Sequence, residues 1–445
     1  MNFINYLESI NQLATDIKPT KISGKVNSVK GTIIQCTGIN NYVSMGSRCK
    51  IRTKLKALNI VCEVVGFDNN SVLLMPFEDP EGIGAGADVE VYQHDNTITP
   101  DLSWLGRIIN AFAQPIDNLG PLKSGGNEYS LRSNPPPSQS RNKIGDKIDL
   151  GVKAIDTFAS CCYGQRMGIF AGSGVGKSVL ISMLTRYAHT DVKVIGLVGE
   201  RSREVKEFIE EYLGEEGLKK AVIIVSTGDE SPLMRKRAAY TTMAVAEYFR
   251  DQGKEVLCII DSITRFAMAQ REIGLAVGEP PTTKGYTPSV FGELPKLLER
   301  SGPGIGEAHI TGLFTVLVEG DDQNEPISDA VRGILDGHIV LDRAIAERGR
   351  FPAVDVLRSV SRAMPKCNSE LENRQVIYAK KMLAIYQDMA EMIRLGAYKR
   401  GTDPDVDLSI HYYNKLEEFL TQKPHEMSPM DESYAKLGEI LGITS

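Results

Sequence analysis

The sequence predicts an α/β protein with a small β-barrel before a parallel-sheet core and a helical domain after it. Short segments rich in β-branched residues, separated by turn residues, fill most of the first hundred positions. In the middle of the chain, wholly apolar runs alternate with helical patterns, and only helical patterns follow about Pro365. At 445 residues the chain should form more than one domain, because single hydrophobic cores stop growing at about 250–300 residues.

The composition is that of an ordinary globular protein and excludes several classes of function. The net charge of -6 argues against broad binding of a nucleic-acid backbone, so we expect no nucleic-acid partner. The seven cysteines contain no C-x-x-C pair and the histidines are scattered, which indicates neither a disulfide framework nor a zinc site. No segment resembles a signal peptide or a membrane span, so we expect a cytoplasmic protein.

Two elements are predicted in the amino-terminal part. Residues 1–20 predict a helix, which either binds a partner or packs on its own domain, because apolar side chains recur there at helical spacing. These side chains are Phe3, Leu7, Ile10, Leu13 and Ile17. Residues 21–95 predict the barrel domain, in which turn residues such as Asp68, Asn69 and Asn70 interrupt apolar runs.

The core is predicted for residues 96–365 and the helical domain for residues 366–445. A proline-rich connector, SNPPPSQSR, begins at Ser133 and cannot continue a helix or a central strand. After it come the apolar runs RMGIFA, VKVIGLVG, AVIIVST, VLCIID and FTVLVEG. Runs without polar alternation are typical of parallel strands that are buried on both faces between helices.

One loop of the core has the pattern of a phosphate-binding loop. The segment AGSGVGKS lies between a predicted strand and a predicted helix, with Ala171 in place of the usual first glycine. Its backbone amides can face one anion, and the following helix directs its positive dipole end to the same place. The predicted nucleotide-binding residues are Gly172, Ser173, Gly174, Val175, Gly176, Lys177, Ser178 and Val179.

Acidic residues end two of the predicted strands. Asp261 ends VLCIID, and Glu200 ends VIGLVGE with Arg201 beside it. Because the carboxyl ends of parallel strands meet at one edge of a sheet, both carboxylates should face the loop. Lys177 is expected to reach the terminal phosphates, and Ser178 and Asp261 to hold Mg²⁺ and its water shell.

Longer blocks of the sequence resemble the type III export ATPases. These are relatives of the rotary ATP synthase catalytic subunit and serve bacterial flagella and virulence injectisomes. The resemblance runs from about Gly24 through the carboxyl-terminal domain, and MIRLGAYKRGTDPDVDLSI is more similar to the flagellar branch. The blocks that carry it are GIFAGSGVGKS, GERSREVKEF, CIIDSITRFAMAQREIGLAVGEPPTTKGYTPSVFGELPKLLERSG, FTVLVEGDDQNEPISDAVRGILDGHIVLDR and FPAVDVLRSVSRAM.

The resemblance implies an ATPase with a RecA/F1-like core that hydrolyses Mg-ATP. It makes Glu200 the catalytic carboxylate, with Arg201 beside it. Arg362, in SVSR, corresponds to an arginine that reaches into a neighbouring subunit's site, and Phe351, in FPAVD, to an aromatic side chain against the adenine. We hypothesise that the ATPase assists the delivery and unfolding of protein substrates at a type III export gate.

The resemblance also implies a set of partners. They are further copies of the chain in a homohexamer, a stator-like regulatory dimer at the amino terminus, membrane proteins of the export gate, export chaperones and protein cargo. The chain would then work at the inner face of the cytoplasmic membrane.

Other functions remain open on the sequence alone. They are an injectisome ATPase, a rotary ATP synthase subunit, an RNA-translocating termination factor and a non-enzymatic scaffold. Glu200 disfavours a non-catalytic rotary subunit, and no acidic stretch of the kind found in the rotary β subunit occurs after Pro365. The acidic segment FEDPEGIGAGADVEVY disfavours an RNA-binding surface.

Overall fold

The computed structural model describes residues 21–53, 59–93, 96–318 and 325–444. The helix predicted for residues 1–20 lies outside this part of the chain. Within it, the predicted α/β class is confirmed, with a six-stranded barrel, a parallel-sheet core and carboxyl-terminal helices. The exact domain boundaries stay predictions. No described helix is long and apolar enough to cross a membrane.

Six short strands close into the predicted barrel, in the order β1-β2-β5-β4-β3-β6. They are β1 (Ser23–Lys30), β2 (Ile33–Thr37), β3 (Arg48–Arg52), β4 (Asn59–Asp68), β5 (Ser71–Pro76) and β6 (Asp88–Gln93). The turn predicted at Asp68 joins β4 to β5, and Asn69 adopts a positive φ of 49° there, a conformation that asparagine tolerates better than most residues. The inward-facing side chains form a separate apolar core around Ile34, Ile51 and Leu74.

The part of the chain that follows the barrel contains eleven strands among the described residues. They are β7 (Thr97–Ile98), β8 (Ile108–Asn110), β9 (Tyr129–Ser130), β10 (Arg166–Ala171), β11 (Val192–Glu200), β12 (Ala221–Thr227), β13 (Val256–Asp261), β14 (Gly302–Pro303), β15 (His309–Leu317), β16 (Gly337–Leu341) and β17 (Val354–Ser361). β7 pairs with β9, and the others form one sheet in the order β17-β16-β10-β15-β13-β11-β12-β8, with β14 beside β15. Only the pairs β14–β15 and β16–β17 of this sheet are antiparallel within the described chain.

Helices cover the sheet and form the carboxyl-terminal part. They are α1 (Lys153–Phe158), α2 (Lys177–Tyr187), α3 (Ser202–Glu207), α4 (Gly214–Leu218), α5 (Pro232–Asp251), α6 (Ile263–Ala276), α7 (Pro288–Leu298), α8 (Pro326–Ile334), α9 (Arg343–Glu347), α10 (Glu370–Arg394), α11 (Pro404–Leu420) and α12 (Met430–Leu441). A π-helical segment, Phe208–Leu213, joins α3 to α4, and single 3₁₀ turns occur at Asn40–Tyr42, Leu102–Trp104 and Thr283–Gly285.

The burial of β13 explains why its sequence is apolar at every position. Ile259 belongs to the apolar core on one face of the sheet, which includes Leu184 of α2. Ile260 belongs to the core on the other face, which includes Phe249 of α5. Successive strand residues point to opposite faces, so a strand covered by helices on both faces needs apolar residues throughout.

Local capping signals place the long carboxyl-terminal helices. Ser369 and Glu372 form a capping box at the start of α10, with the Ser369 amide donating to the Glu372 carboxylate at 2.7 Å. At the start of α11, Asp403 accepts a hydrogen bond from the amide of Asp405 at 2.8 Å, and Pro404 occupies the first helical position. Local capping residues therefore determine where these two helices begin.

A buried ion pair ties α5 to the end of α7. The Arg300 and Glu247 side chains are 0% and 6% exposed, and Arg300 Nη2 lies 2.6 Å from Glu247 Oε2. Arg300 Nε donates to Glu247 Oε1 at 2.8 Å, and Nη1 donates to the carbonyl oxygen of Leu131 at 2.5 Å. Both charged groups are thus removed from water and satisfied by one another.

We expect Arg300→Met to destabilise the protein by roughly 3–5 kcal/mol, because Glu247 would remain as an uncompensated buried charge. The double variant Arg300→Met/Glu247→Leu should recover part of this loss, since it leaves no charge unpaired. The midpoint of urea unfolding, followed by circular dichroism, measures both effects. Lys381→Met is the control, because it breaks only the half-exposed pair with Asp405 and should barely move the midpoint. Equal midpoints for Arg300→Met and this control would contradict the prediction.

Candidate active site

The glycine-rich loop lies between β10 and α2, as the sequence predicts. β10 ends at Ala171 and α2 begins at Lys177. Left-handed backbone conformations occur at Gly174 and Gly176, with φ of 77° and 90°, and not at Gly172. No described side chain caps the first turn of α2, so the first amides of this helix remain available to an anion.

The loop lysine is shared by the two carboxylates that the sequence singles out. Lys177 Nζ lies 2.5 Å from Asp261 Oδ1 and 3.2 Å from Glu200 Oε1. The three side chains are between 7% and 11% exposed. They meet because β10, β15, β13 and β11 are neighbours in the sheet and end at the same edge.

Burial and mutual charge shift the pKa values of this cluster. Burial raises the pKa of Glu200 to about 7, the neighbouring Asp261 charge adds to the increase, and Lys177 opposes it. Burial alone would lower the pKa of Lys177, but Asp261 and Glu200 outweigh this and raise it. Lys177 therefore stays cationic, while Glu200 has a pKa near the value that suits a general base at neutral pH.

Thr315 holds the Asp261 carboxylate and was not predicted as a site residue. Its hydroxyl donates to Asp261 Oδ1 at 2.6 Å from the middle of β15, the strand next to β13. Thr315 is fully buried. A buried hydroxyl needs a hydrogen-bond partner, and that is the one signal by which this residue could have been found within its apolar run.

A small cavity of about 20 Å³ adjoins the carboxylates, which is room for one ion or water. Four of its lining residues, from β11, α3 and the start of the π-helical segment, were missed by sequence reasoning. The lining residues are Ser178, Leu197, Glu200, Glu204, Val205, Phe208 and Asp261. The described residues contain no group of three or more His, Cys, Asp or Glu that could hold a metal by themselves. A hydroxyl and carboxylates fit Mg²⁺, which takes one or two protein oxygens and completes its shell with phosphate and water.

Two further predicted residues, Arg201 and Phe351, lie near the loop with exposed side chains. A Cβ added to Gly176 would lie 3.5 Å from the Phe351 ring, which is 43% exposed. Arg201 is 85% exposed and lies 3.4 Å from Glu204 Oε1. Arg343, which the sequence analysis did not select, donates from Nη2 to the Ser173 carbonyl oxygen at 3.2 Å.

Arg362 lies at the opposite edge of the sheet from the loop of its own chain. It follows β17, and its amide donates to the Asp336 carbonyl oxygen at 2.8 Å. The Asp336 carboxylate binds Arg166, the first residue of β10, whereas the loop follows the last. Five residue steps separate Arg166 from Ala171, or about 16 Å at 3.3 Å per step. Arg362 and Lys177 of one chain thus lie at opposite edges of the sheet.

Comparisons with known proteins agree with this architecture. The family model of the ATP synthase alpha/beta nucleotide-binding domain matches residues 151–361, and that of the family's beta-barrel domain matches residues 19–91. The T3SS EscN ATPase C-terminal domain matches residues 369–439. This match agrees with the resemblance to the type III export ATPases that the sequence analysis stated.

Individual relatives are similar over nearly the whole chain. The Flagellum-specific ATP synthase of Caulobacter vibrioides is 54% identical over 96% of this chain and 97% of its own, and that of Bacillus subtilis is 47% identical over 94% and 95%. The assembled ATPase EscN of the enteropathogenic E. coli type III secretion system superposes with a TM-score of 0.88 at 39% identity, over 94% of this chain and 100% of EscN. The chain is an ATPase that belongs to the ATP synthase alpha/beta family and, within it, to the flagellum-specific ATP synthases related to the type III secretion ATPases.

Proposed function

We propose that this ATPase forms a homohexameric ring that hydrolyses Mg-ATP at the inner face of the cytoplasmic membrane and helps to deliver and unfold protein substrates at a flagellar export gate. The observation that carries the proposal is the division of one site between two edges of the sheet. Lys177, Glu200 and Asp261 meet at the carboxyl edge, and Arg362 lies at the amino edge.

Lys177 binds the β- and γ-phosphates in the proposed reaction. A polyphosphate on the loop competes for the lysine, because its charge exceeds that of the carboxylates. As Lys177 moves towards the phosphates, Glu200 becomes free to accept a hydrogen bond from the attacking water. The water oxygen bonds to the γ-phosphorus, the bond to the bridging oxygen breaks, and Glu200 takes the water's proton.

Ser178 and Asp261 are the proposed holders of Mg²⁺ and its water shell. Bound Mg²⁺ neutralises negative charge on the β- and γ-phosphates. Thr315 keeps Asp261 in place through its 2.6 Å hydrogen bond. The loop amides from Gly172 to Val179 bind phosphate oxygens, and the exposed Phe351 ring packs against the adenine.

A ring brings Arg362 of one copy to the phosphate site of its neighbour. Each copy carries Arg362 at one edge and Glu200 at the other, so identical copies in a head-to-tail arrangement complete one another's sites and close into a ring. Arg201, exposed beside Glu200, is proposed as a second cation at this junction. The solved relative is named as an assembled ATPase, which supports assembly of this chain too.

The relatives also support proposals about partners. EscN has been solved with its central stalk EscO, and we propose an equivalent stalk protein for this ring. Residues 1–20 are proposed to bind a stator-like dimer, and the export gate, chaperones and cargo complete the set. An injectisome role is the second candidate, favoured by the match to the EscN carboxyl-terminal domain, whereas the flagellar names of the curated relatives favour the first.

Lys177→Ala should abolish ATP turnover, because the loop loses its charged contact with the terminal phosphates. Phosphate release measured at saturating ATP tests this expectation. Lys381→Ala, at the half-exposed pair on α10, is the matched control and should behave like the unmodified protein. A folded Lys177→Ala protein with near-normal turnover would disprove the assignment of the site.

Glu200→Gln should bind ATP with nearly unchanged affinity while kcat falls by roughly 10²–10⁴-fold, the usual scale for loss of a general base. The amide keeps the shape of the side chain but cannot accept the proton. Nucleotide titration by calorimetry and steady-state kinetics separate the two quantities. If kcat stays at the level of the unmodified protein, another group activates the water.

Arg362→Ala alone should lose about 10³–10⁵-fold in kcat, the scale for an arginine supplied in trans. Mixing it with Glu200→Gln should restore some turnover, because mixed junctions bring an intact Glu200 of one copy to an intact Arg362 of the next. Activity per chain should also rise steeply with protein concentration. Concentration-independent activity without rescue, in assemblies shown to exchange subunits, would leave Arg362 a structural residue.

A further inference from the structure

A second cavity of about 690 Å³ opens at the amino edge of the sheet, away from the phosphate loop. It is lined by Pro303, by Asp336 and by three segments: residues 141–147, the turn before β10 with the first residue of that strand, and the turn between β17 and α10. Arg362 lies on the last segment. Arg362, the residue proposed to act on the neighbouring subunit, therefore lines this cavity.

Two cysteines from different segments meet in this cavity. Cys162 is 2% exposed in the turn before β10, and Cys367 is half-buried in the turn before α10. Both line the cavity. Cys367 raises the pKa of Cys162, and Cys162 lowers the pKa of Cys367, each being the largest influence on the other. The Cys367 thiol donates to Asn368 Oδ1 at 3.4 Å. The other five cysteines, all within the described residues, are buried. The pair is thus the one place in the described part of the chain where a half-buried cysteine lines a cavity together with a second cysteine.

The surroundings lower the pKa of the Cys367 thiol. The hydrogen bond from Cys162 lowers the pKa of Cys367, burial opposes this, and the nearby Lys147 lowers it further. Lys147 is fixed in place, since it forms an antiparallel bridge with Cys162 and its Nζ lies 2.6 Å from Glu372 Oε1. A thiolate beside a second thiol and open to a cavity is the arrangement of a redox-sensitive pair.

We propose that Cys162 and Cys367 form a reversible dithiol–disulfide pair that controls the ATPase, with hydrogen peroxide as the oxidant. The Cys367 thiolate attacks one peroxide oxygen, the O–O bond breaks and hydroxide leaves, which gives a sulfenic acid. The Cys162 sulfur then attacks the Cys367 sulfur, the S–O bond breaks and water leaves. Two thiols lose two electrons and two protons, and one peroxide becomes two waters.

The disulfide changes the position of the segment that carries Arg362. A covalent S–S bond is about 2.05 Å long, which is shorter than a hydrogen-bonded contact between two sulfur atoms. Cys162 is held in the core, where its amide donates to Gln165 Oε1 at 2.9 Å. The turn from Arg362 to Cys367 therefore moves, and a displacement of about 1 Å can cost on the order of 10²-fold in rate.

The experiment uses the full chain, purified with reductant, treated with hydrogen peroxide and blocked with iodoacetamide. Mass spectrometry of a digest should show a peptide that links Cys162 to Cys367. ATP turnover should fall by about 10–10²-fold as this peptide forms and should return when dithiothreitol is added. The linked peptide does not depend on the role proposed for Arg362, so failure of that role leaves this readout intact.

Matched variants complete the test. Cys367→Ser should keep the untreated turnover and become insensitive to peroxide, whereas Cys161→Ser, in the same turn, should keep the full response. Absence of the linked peptide after peroxide treatment would overturn the proposal. So would a linked peptide with unchanged turnover, or equal inhibition of Cys367→Ser.

Discussion

The cation of Lys177 between two buried carboxylates is the interaction on which the organisation of the site depends. Lys177 Nζ lies 2.5 Å from Asp261 and 3.2 Å from Glu200. A charge removed from water needs partners. These partners come from the ends of β11 and β13, which are neighbouring parallel strands in the sheet. The strand order therefore determines that Glu200 and Asp261 hold the lysine. The same two carboxylates are the groups proposed to bind the attacking water and the metal ion.

The two edges of the same sheet carry different functional groups. The carboxyl edge holds the phosphate loop and its acids, as expected for an open parallel sheet. At the amino edge, Asp336 binds Arg166 through its carboxylate and the Arg362 amide through its carbonyl group. Arg362 thus lies at the edge opposite its own chain's phosphate loop, and the proposed mechanism therefore needs a neighbouring copy of the chain.

The amino edge also connects the catalytic body to the carboxyl-terminal helices. The segment from Arg362 to Cys367 leads into the capping box that starts α10. Lys147, which pairs with Cys162 before β10, binds Glu372 of that capping box at 2.6 Å. One short turn therefore joins Cys367 to both Arg362 and the start of α10.

The sequence by itself predicted the fold class, five strands of the core sheet and the position of the glycine-rich loop. The runs RMGIFA, AVIIVST and VLCIID coincide with β10, β12 and β13, because burial on both faces leaves a continuous apolar signal. The loop was recognisable because its glycines, lysine and serine act within one short segment. Glu200 and Asp261 were found for a related reason, since each ends a strand whose edge could be inferred.

Only the tertiary structure decided which distant residues meet. Thr315 gave no signal in its apolar run, and its role follows from the pairing of β15 with β13. The position of Arg362 at the far edge depends on the antiparallel return of β17 along β16. Cys162 and Cys367 are brought together by the same return. Contacts between segments remote in sequence are set by strand order and register, and a local pattern of side chains does not encode either.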